Sequence, residues 1–475
     1  MTATNPGIAT GPGNTRRTER SGTTELDADL VDWMARSVGG TITSVQRRPG
    51  GGRREAWFVD AETPGGERLE LFLRHDRGDP ARTGDPFTLH EEARYFLALQ
   101  DSPVPVPRIH AVHPTRQAIL AERVPGQAWF SRLRDEEQRL GIAREFMGVL
   151  AALHAVDPRT AASPSGPSPD AGLRAVVTAE IDRWERLYRG ADAPPDPLIE
   201  MGVSWVRANL PDADEPPVIV QGDTGPGNFL YHEGRVTAVL DWELAHLGDP
   251  HDDLAWVSVR AVQEPFTHLP DRLADYAAAS GRTVDPDRIR YYRVLAELRI
   301  LILGHRAPGR IDPLSEVGNN LIFGALHRRL FVEALADATG TALEPPGPLP
   351  AVPREDDWLY DAAIAQLGEI IVPRSQDPFA ILRGKGVARI LKYLKESERL
   401  RDARVRCELD DLEGLLGARP GTVQEGRARL AEGLREGAVE LSAALPVLYR
   451  RVLRETQVCR PAMGRLADRH FDPLT

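Results

Sequence analysis

Apolar residues first recur at helical spacing at Leu26, Leu30, Val31 and Met34. The pattern stops at Gly39-Gly40, which predicts a short amphipathic helix. Three β-rich runs follow over 41–48, 54–60 and 68–74. Pro49-Gly50-Gly51-Gly52 and Pro64-Gly65-Gly66 separate them, so they read as two hairpins of an antiparallel meander. Thr88 and Glu91 form a capping box ahead of Ala93, Phe96, Leu97 and Leu99, predicting a helix. Pro103, Pro105 and Pro107 then hold the chain extended into two further strands over 108–112 and 118–124. The expected first block is five strands around one helix.

Beyond Pro125-Gly126 the period changes. Leu140, Phe146, Met147, Leu150 and Leu153 make the inner stripe of a long helix ending near His154. Residues 160–169, rich in Ala, Ser and Pro, predict a surface loop, and helical patterns resume over 173–188 and 198–209. After Pro216-Pro217 come a pair of short strands, 218–220 and 236–240, and then helices to about residue 336. In the C-terminal block Val387, Ile390, Leu391 and Leu394, and later Leu412, Leu415 and Leu416, read as helices of a small bundle. The expected organisation is a disordered arm over 1–24, a sheet-rich block over 25–125, a helical block over 126–343, a Pro-rich linker over 344–355 and a C-terminal helical domain over 356–475.

Composition narrows what such a chain does. With 475 residues, 41% hydrophobic and 27% charged, it has the make-up of a soluble multidomain protein. No apolar run approaches the roughly 20 residues that span a bilayer, and the N-terminal segment lacks the apolar stretch of a signal peptide. Cys407 and Cys459 lie far apart, so a reducing, cytoplasmic setting is expected, with no membrane partner. A formal charge of −11 argues against nucleic acid as the main partner. Of the 59 basic residues only Lys385, Lys392 and Lys395 are lysine. Everything upstream therefore lacks a lysine-bearing phosphate loop, a Schiff-base lysine and the usual strand lysine of a kinase.

Candidate chemistry concentrates between Val218 and Ala255, VIVQGDTGPGNFLYHEGRVTAVLDWELAHLGDPHDDLA. A strand ends at Gln221, a turn-rich loop presents Asp223 and Asn228, and a second strand delivers Asp241 followed by Trp242 and Glu243. Phosphoryl transfer needs a carboxylate to orient and deprotonate the attacking hydroxyl, and oxygen ligands for Mg²⁺ on the nucleotide phosphates. Asp223 suits the first role, Asn228 and Asp241 the second. Any one of these acids is ordinarily a turn former. The combined order of strand, G-D-x-x-x-x-N, hairpin, D-W-E and G-D-P-x-x-D-L-A is far more specific.

At these residues the chain resembles the aminoglycoside phosphotransferase and choline kinase-like superfamily. The resemblance extends over roughly 26–335. It includes Pro103-Val104-Pro105-Val106-Pro107-Arg108, Glu122-Arg123-Val124-Pro125-Gly126 and Leu153-His154-Ala155-Val156-Asp157-Pro158. It implies an α+β, two-lobed protein-kinase-like fold with an antiparallel-sheet N-lobe and a mainly helical C-lobe. It also implies ATP and Mg²⁺ in the cleft and transfer of the γ-phosphoryl group to a small-molecule hydroxyl acceptor. By the same mapping Asp223 is the catalytic base, Asn228 and Asp241 hold Mg²⁺, and the backbone from Glu122 to Val124 holds the adenine edge. Asp249 and Asp253 would support the catalytic loop and cap the next helix. Gly51 and Gly52 sit in a hairpin turn whose amides could approach phosphates.

The chain departs from this family's pattern at two places. Gln221 stands where the family has a histidine, and no strand lysine is available. Arg74 occupies that strand position with Glu92 as its ion-pair partner on the following helix, and an arginine keeps the charge and grips phosphate through two donors. These departures motivate an alternative, a nucleotide-binding pseudokinase acting as sensor or scaffold. The branch linked with acyl-CoA dehydrogenases implies a hydroxyacyl thioester as candidate acceptor, with antibiotics and amino-alcohols open. Acids of the helical insertion, Asp170, Glu180, Asp182 and Glu185, could favour a cationic acceptor instead. The C-terminal block resembles a helical domain of unknown function fused to such enzymes. It holds no clustered acids or metal spacing, so packing or a homodimer contact is expected of it.

Overall fold

The computed structural model describes residues 26–48, 54–77, 86–163, 166–212, 215–305 and 315–475. Helix α1 (Ala28–Val38) starts at Asp27, whose carboxylate accepts from the Asp29 amide at 3.0 Å, and ends at Gly39 in the left-handed region. Strands β1 (Thr41–Arg48), β2 (Arg54–Glu62) and β3 (Arg68–Asp76) follow as an antiparallel meander. Helix α2 (Leu89–Leu99) is capped by Thr88, whose hydroxyl accepts from the Glu91 amide. With β4 (Ile109–Val112) and β5 (Ala118–Glu122) the five strands form one antiparallel sheet in the order β1-β2-β3-β5-β4.

Alternation along these strands decides what faces the cleft. Trp57, Val59, Leu71, Leu73 and Leu120 point to one face and pack under Leu30, Trp33 and Met34 of α1. Each such side chain contributes roughly 1.5–3 kcal/mol by leaving water. The intervening residues, Arg54 and Phe58 of β2 with Phe72 and Arg74 of β3, take the other face, and Arg74 stands opposite Ala56 in the register. Ile119 and Ala121 of β5 join α2 in the larger core. The sheet is thus sandwiched between the two helices that the sequence pattern predicts at either end of the first three strands, and not wrapped around one.

The second half begins with α3 (Glu136–Leu153), α4 (Leu173–Arg189) and α5 (Pro197–Ala208). Where the sequence suggests two short strands, four form. β6 (Val218–Val220) pairs with β9 (His246–Gly248), and β7 (Phe229–His232) pairs with β8 (Arg235–Val239). A three-residue strand such as β9 is too short to show periodicity, yet its pairing with β6 draws the two ends of the motif segment together. Helices α6 (Pro250–Gln263), α7 (Leu269–Ser280), α8 (Pro286–Gly304) and α9 (Val317–Thr339) complete this half.

The C-terminal helices are α10 (Asp357–Ala365), α11 (Pro378–Leu416), α12 (Val423–Arg435) and α13 (Leu441–Met463). The apolar groups around residues 387 and 412, which look like separate helices in sequence, belong to one helix of 39 residues that ends at left-handed Gly417. No proline interrupts it after its first turn. Leu412, Leu430, Leu445 and Leu448 share a core with Leu198, Trp256 and Phe331 of the helical half. Arg328 of α9 bridges the same boundary, reaching Asp196 at 2.8 Å and Glu455 at 3.1 Å. No helix among the described residues is long and apolar enough to cross a membrane.

Candidate active site

The floor of the cleft is assembled around Asp253 in the first turn of α6. Its buried carboxylate accepts from the backbone amides of Gln221 (2.9 Å) and Gly222 (3.0 Å) and from the Thr224 hydroxyl. His154 Nε2 stands at 3.1 Å, and the other ring nitrogen lies 2.8 Å from the Tyr276 hydroxyl. Burial opposes ionisation of Asp253, but these donors outweigh it and hold its pKa below the ordinary value. Gly222 has φ of 84°, and a Cβ there would collide with the Leu244 carbonyl. Asp249 caps α6, accepting from the His251 amide at 2.9 Å.

Gln221 is fully buried and ties the two motif loops together. Its Nε2 donates to the carbonyls of Leu240 (2.8 Å) and Asp241 (2.7 Å), while its Oε1 accepts from the Asp223 amide (2.8 Å) and the Thr224 hydroxyl (2.9 Å). An amide has two donors and a two-lone-pair oxygen, and all are used here. Asp241 itself sits at φ 60°, ψ 63°, a costly conformation for a non-glycine residue that the two bonds from Gln221 help to hold.

Asp223 and Asn228 face one another. Asn228 Nδ2 donates to Asp223 Oδ2 at 2.6 Å and to the Asp223 carbonyl at 2.8 Å. Arg260 of α6 closes the group: it approaches Asp223 Oδ2 at 3.5 Å and donates to Asn228 Oδ1 and the Pro226 carbonyl, each at 3.2 Å. Gly225 and Gly227, both at positive φ, make room for that guanidinium, since a Cβ on Gly225 would lie 2.8 Å from the Arg260 Cβ. Burial pushes the Asp223 carboxyl up to about 6; Arg260 pulls it down, and the negative charge of Asp241 adds to the rise.

The roof comes from the sheet and α2. Arg74 donates to Glu92 Oε1 at 2.5 Å through one nitrogen and to Asp241 Oδ1 at 2.9 Å through another, with Glu243 Oε2 at 3.4 Å. Burial disfavours the Arg74 charge, but these carboxylates outweigh it and raise its pKa. Arg54 lies alongside. It reaches Glu92 Oε2 at 3.3 Å, pairs with Glu243 and donates to the Phe87 carbonyl at 2.8 Å. Glu92 is 1% exposed, and its burial lifts the pKa to about 7 although Arg74 and Arg54 both work to lower it. Three guanidinium groups, Arg54, Arg74 and Arg260, thus face four carboxyls, Glu92, Asp223, Asp241 and Glu243, across one cleft.

Glu122 closes β5 where the chain crosses between halves, with its amide donating to the Arg108 carbonyl at 2.8 Å. Val124 follows, half-buried, ahead of Pro125, whose carbonyl accepts from the Thr237 hydroxyl at 3.0 Å. Beside this crossing the rings of Phe58 and Phe72 meet edge-on at 6.2 Å, with the Arg123 guanidinium 5.0 Å from the Phe58 ring centre. Gly51 and Gly52 lie outside the described residues. The insertion acids are already paired. Asp170 meets Arg159, Asp182 and Glu185 meet Arg207, and Glu180 accepts from Trp184 Nε1 at 2.6 Å. A cavity of about 630 Å³ opens past Glu243, between α2 and α4, walled by Tyr95, Glu180, Arg183, Arg186 and Trp242.

The family model described as phosphotransferase enzyme family matches residues 44–298, a span that contains every group just described except the C-terminal helices. The chain belongs to that family. It is 37% identical over 82 residues to acyl-CoA dehydrogenase family member 11 of Rattus norvegicus, covering 17% of this chain and 10% of that protein. To family member 10 of Mus musculus it is 28% identical over 179 residues, covering 35% of this chain and 16% of that protein. The chain therefore spans a small part of the curated relatives it matches. Among solved structures, a macrolide 2'-phosphotransferase from Brachybacterium faecium is 24% identical with a TM-score of 0.41, covering 67% of this chain and 100% of that one. An aminoglycoside phosphotransferase in ternary complex with ADP and hygromycin B is 16% identical with a TM-score of 0.47, covering 66% and 100%. With its antiparallel-sheet lobe over a mainly helical lobe, this phosphotransferase has the two-lobed kinase-like fold that the sequence leads one to expect.

Arg74, Glu92, Asp223, Asn228 and Asp241 of this phosphotransferase therefore come together, while Glu122 and Val124 mark the crossing beside the cleft. Two further groups were not legible in the sequence. Arg54, next to Arg53, and Arg260 belong to no motif in a chain full of arginines, and only the register of β2 and the turn of α6 aim them inward. For Arg260 a faint signal existed, because the two glycines of Gly225-Pro226-Gly227 clear its path.

Proposed function

We propose that this phosphotransferase moves the γ-phosphoryl group of ATP, with Mg²⁺, onto a hydroxyl of a small molecule. The observation that carries the reading is that Arg74, paired to buried Glu92, reaches across to Asp241 on the same cleft in which Asp223 and Asn228 face one another. Bound Mg-ATP would supply the phosphoryl group and the charge neutralisation of its oxygens. The residues fit a magnesium ion: Asp241 and Asn228 offer hard oxygen donors, and the Asp241 side chain is 34% exposed. Among the described residues no cluster of three His, Cys, Asp or Glu forms an all-protein cage, which suits an ion held partly by phosphates. Arg74 and Arg54 would hold phosphate oxygens, and the backbone from Glu122 to Val124 under Phe58 and Phe72 would take the base.

Asp223 would orient the acceptor hydroxyl and take its proton as the oxygen attacks. Its pKa of about 6 leaves it ionised at neutral pH while keeping it a better base than an ordinary carboxylate. Asn228 and Arg260 fix the carboxylate's direction. Against the pseudokinase alternative stand the contacts of Gln221, all of them scaffolding, and the pairing of Arg74 with Glu92 and Asp241, which supports Arg74 in the role of the missing lysine. For the acceptor, the paired state of Asp170, Asp182 and Glu185 speaks against a cationic molecule held by them. The relatives' acyl-CoA dehydrogenase names support a hydroxyacyl thioester as the first acceptor class to try. A screen of Mg-ATP consumption against pooled hydroxylated acceptors tests the reading. Asp223→Ala should lower turnover by about 10²–10⁴-fold while calorimetry shows Mg-ATP binding retained. Undiminished turnover in that variant would remove Asp223 from the role.

A further inference from the structure

Residues 464–474 lie far outside the span matched by the family model, which ends at residue 298. After α13, Gly464 at φ 58° leads into a short helical turn, Gly464–Asp468, and the chain comes back onto the helical half. Leu474 is buried in the main core, and Phe471 packs against the same core with its ring 4.7 Å from the Arg293 guanidinium of α8. Arg329 of α9 donates to the Arg469 carbonyl and stands 2.8 Å from His470 Nδ1. This tail is thus a seated segment with its own place in the packing of the helical half.

What the tail holds is the end of α6. The last carbonyls of a helix have no partner within it. Arg469 donates to those of Val262 and Gln263, each at 3.1 Å, and so places a cation where the helix dipole favours one. One turn earlier Ser258 Oγ accepts from Arg293 Nε at 2.9 Å, and the same buried guanidinium donates to the Asp472 carbonyl of the tail at 2.9 Å. Arg260 stands between these two points of attachment. It is the α6 residue that reaches Asp223 and Asn228, and the loop it grips lies against the helix without slack. A Cβ on Gly225 would come within 2.8 Å of the Arg260 Cβ and 3.3 Å of the Val257 Cα. A tilt of the last turn of α6 would therefore pass directly to that loop. We propose that Arg469, on the tail that it anchors, is a positioning residue for the Asp223–Asn228 loop, acting through α6 and Arg260. The part these two residues take in phosphoryl transfer rests on the proposed function, whereas the hold of Arg469 on their loop does not.

Amide hydrogen exchange followed by mass spectrometry on the full chain reads the loop with no substrate present. Arg469→Ala should speed exchange in peptides covering residues 222–230 several-fold. Arg469→Lys should restore part of the protection, because an ammonium also donates to carbonyls. Arg465→Ala, a change at an exposed arginine of the same turn, should leave those peptides as in the wild type. Turnover supplies a second reading. Arg469→Ala should lower kcat about ten- to hundred-fold with the KM for Mg-ATP unchanged, since the arginines of the roof lie on the other lobe. Fraying confined to the end of α6, with the 222–230 peptides exchanging as in the wild type, would overturn the proposal. So would an unchanged kcat, or a raised KM with kcat kept. If the wild-type chain turns over no acceptor, the exchange result still decides the role of Arg469, and only the phosphotransferase reading falls. Should Arg469→Ala fail to fold, Arg469→Lys carries the same comparison with a smaller expected change, and wild-type exchange in that variant would count against the proposal.

Discussion

The floor and the roof of the cleft rest on different physics. On the floor, Asp253 and Gln221 are fully buried and hold the Asp223 loop through hydrogen bonds to backbone amides and carbonyls, between residues no more than 32 positions apart for the Asp253 contacts to that loop. On the roof, Arg54 and Arg74 meet Glu92, Asp241 and Glu243 through guanidinium–carboxylate pairs, and Arg74 lies 167 positions from Asp241. Buried bonds to backbone fix a loop in one shape, because opening any of them strands a polar group away from water. Ion pairs at a cleft edge can trade one anion for another. Asp241 and Glu243 hold guanidinium groups here, and under the proposed function these would turn to phosphate oxygens when a nucleotide enters. The floor is preorganised and the roof is exchangeable.

Breaking the floor should cost most. Asp253→Ala leaves His154 and the amides of Gln221 and Gly222 without their acceptor. The expected loss is about 3–5 kcal/mol of stability, read as a fall in denaturant midpoint, with turnover lost together with it. A stable variant that kept its turnover would mean the loop holds its shape unaided. The roof should respond differently. Arg74→Ala removes charge-assisted bonds worth about 1.5–3 kcal/mol each, so the KM for nucleotide should rise roughly ten- to hundred-fold. Arg74→Lys should restore part of the affinity, and equal losses in both variants would show that the two-pronged grip, not the charge, is what matters.

The smallest effect separates the two walls by pH. In the role proposed for it Asp223 would have to be ionised to accept a proton, so kcat/KM should fall as pH drops through about 6. Arg260 holds that carboxyl down, so Arg260→Met should move the acidic limb to higher pH; a limb that stays in place would exclude the electrostatic role of Arg260. The roof gives the opposite sign in stability. Glu92 has its folded pKa raised to about 7, so its contribution is fully present below the ordinary carboxylate value and is lost as pH rises through about 7. Glu92→Gln should flatten that part of a stability–pH profile.

Much of the first lobe was readable because its signals are local. Alternation placed β1, β2 and β3 within two residues of their ends, and Thr88 with Glu91 marked the start of α2. The motif spacing likewise singled out Asp223, Asn228 and Asp241. Glu243 was harder, since strand geometry leaves open whether a residue two positions after Asp241 faces the same way. The short helical turn Trp242–Leu244 breaks the strand there, and Glu243 ends beside Arg54 and Arg74. Strand β9 and the continuity of α11 escaped because a three-residue strand has no period and because spaced leucine clusters look alike in one helix or two.

What the sequence determined alone was an inventory: which carboxylates and amides stand at phosphotransferase spacing, which strand offers Arg74 instead of lysine, and where the periodicity turns from two to 3.6. These follow from contacts within a turn or along a strand. Only the tertiary structure decided that Arg54 shares Glu92 with Arg74, that Arg260 fills the gap left by Gly225 and Gly227, and that Gln221 joins both loops. It alone brought Arg469 to the end of α6. Each of these is a relation between elements far apart in the chain, and such relations depend on register and packing that no local pattern encodes.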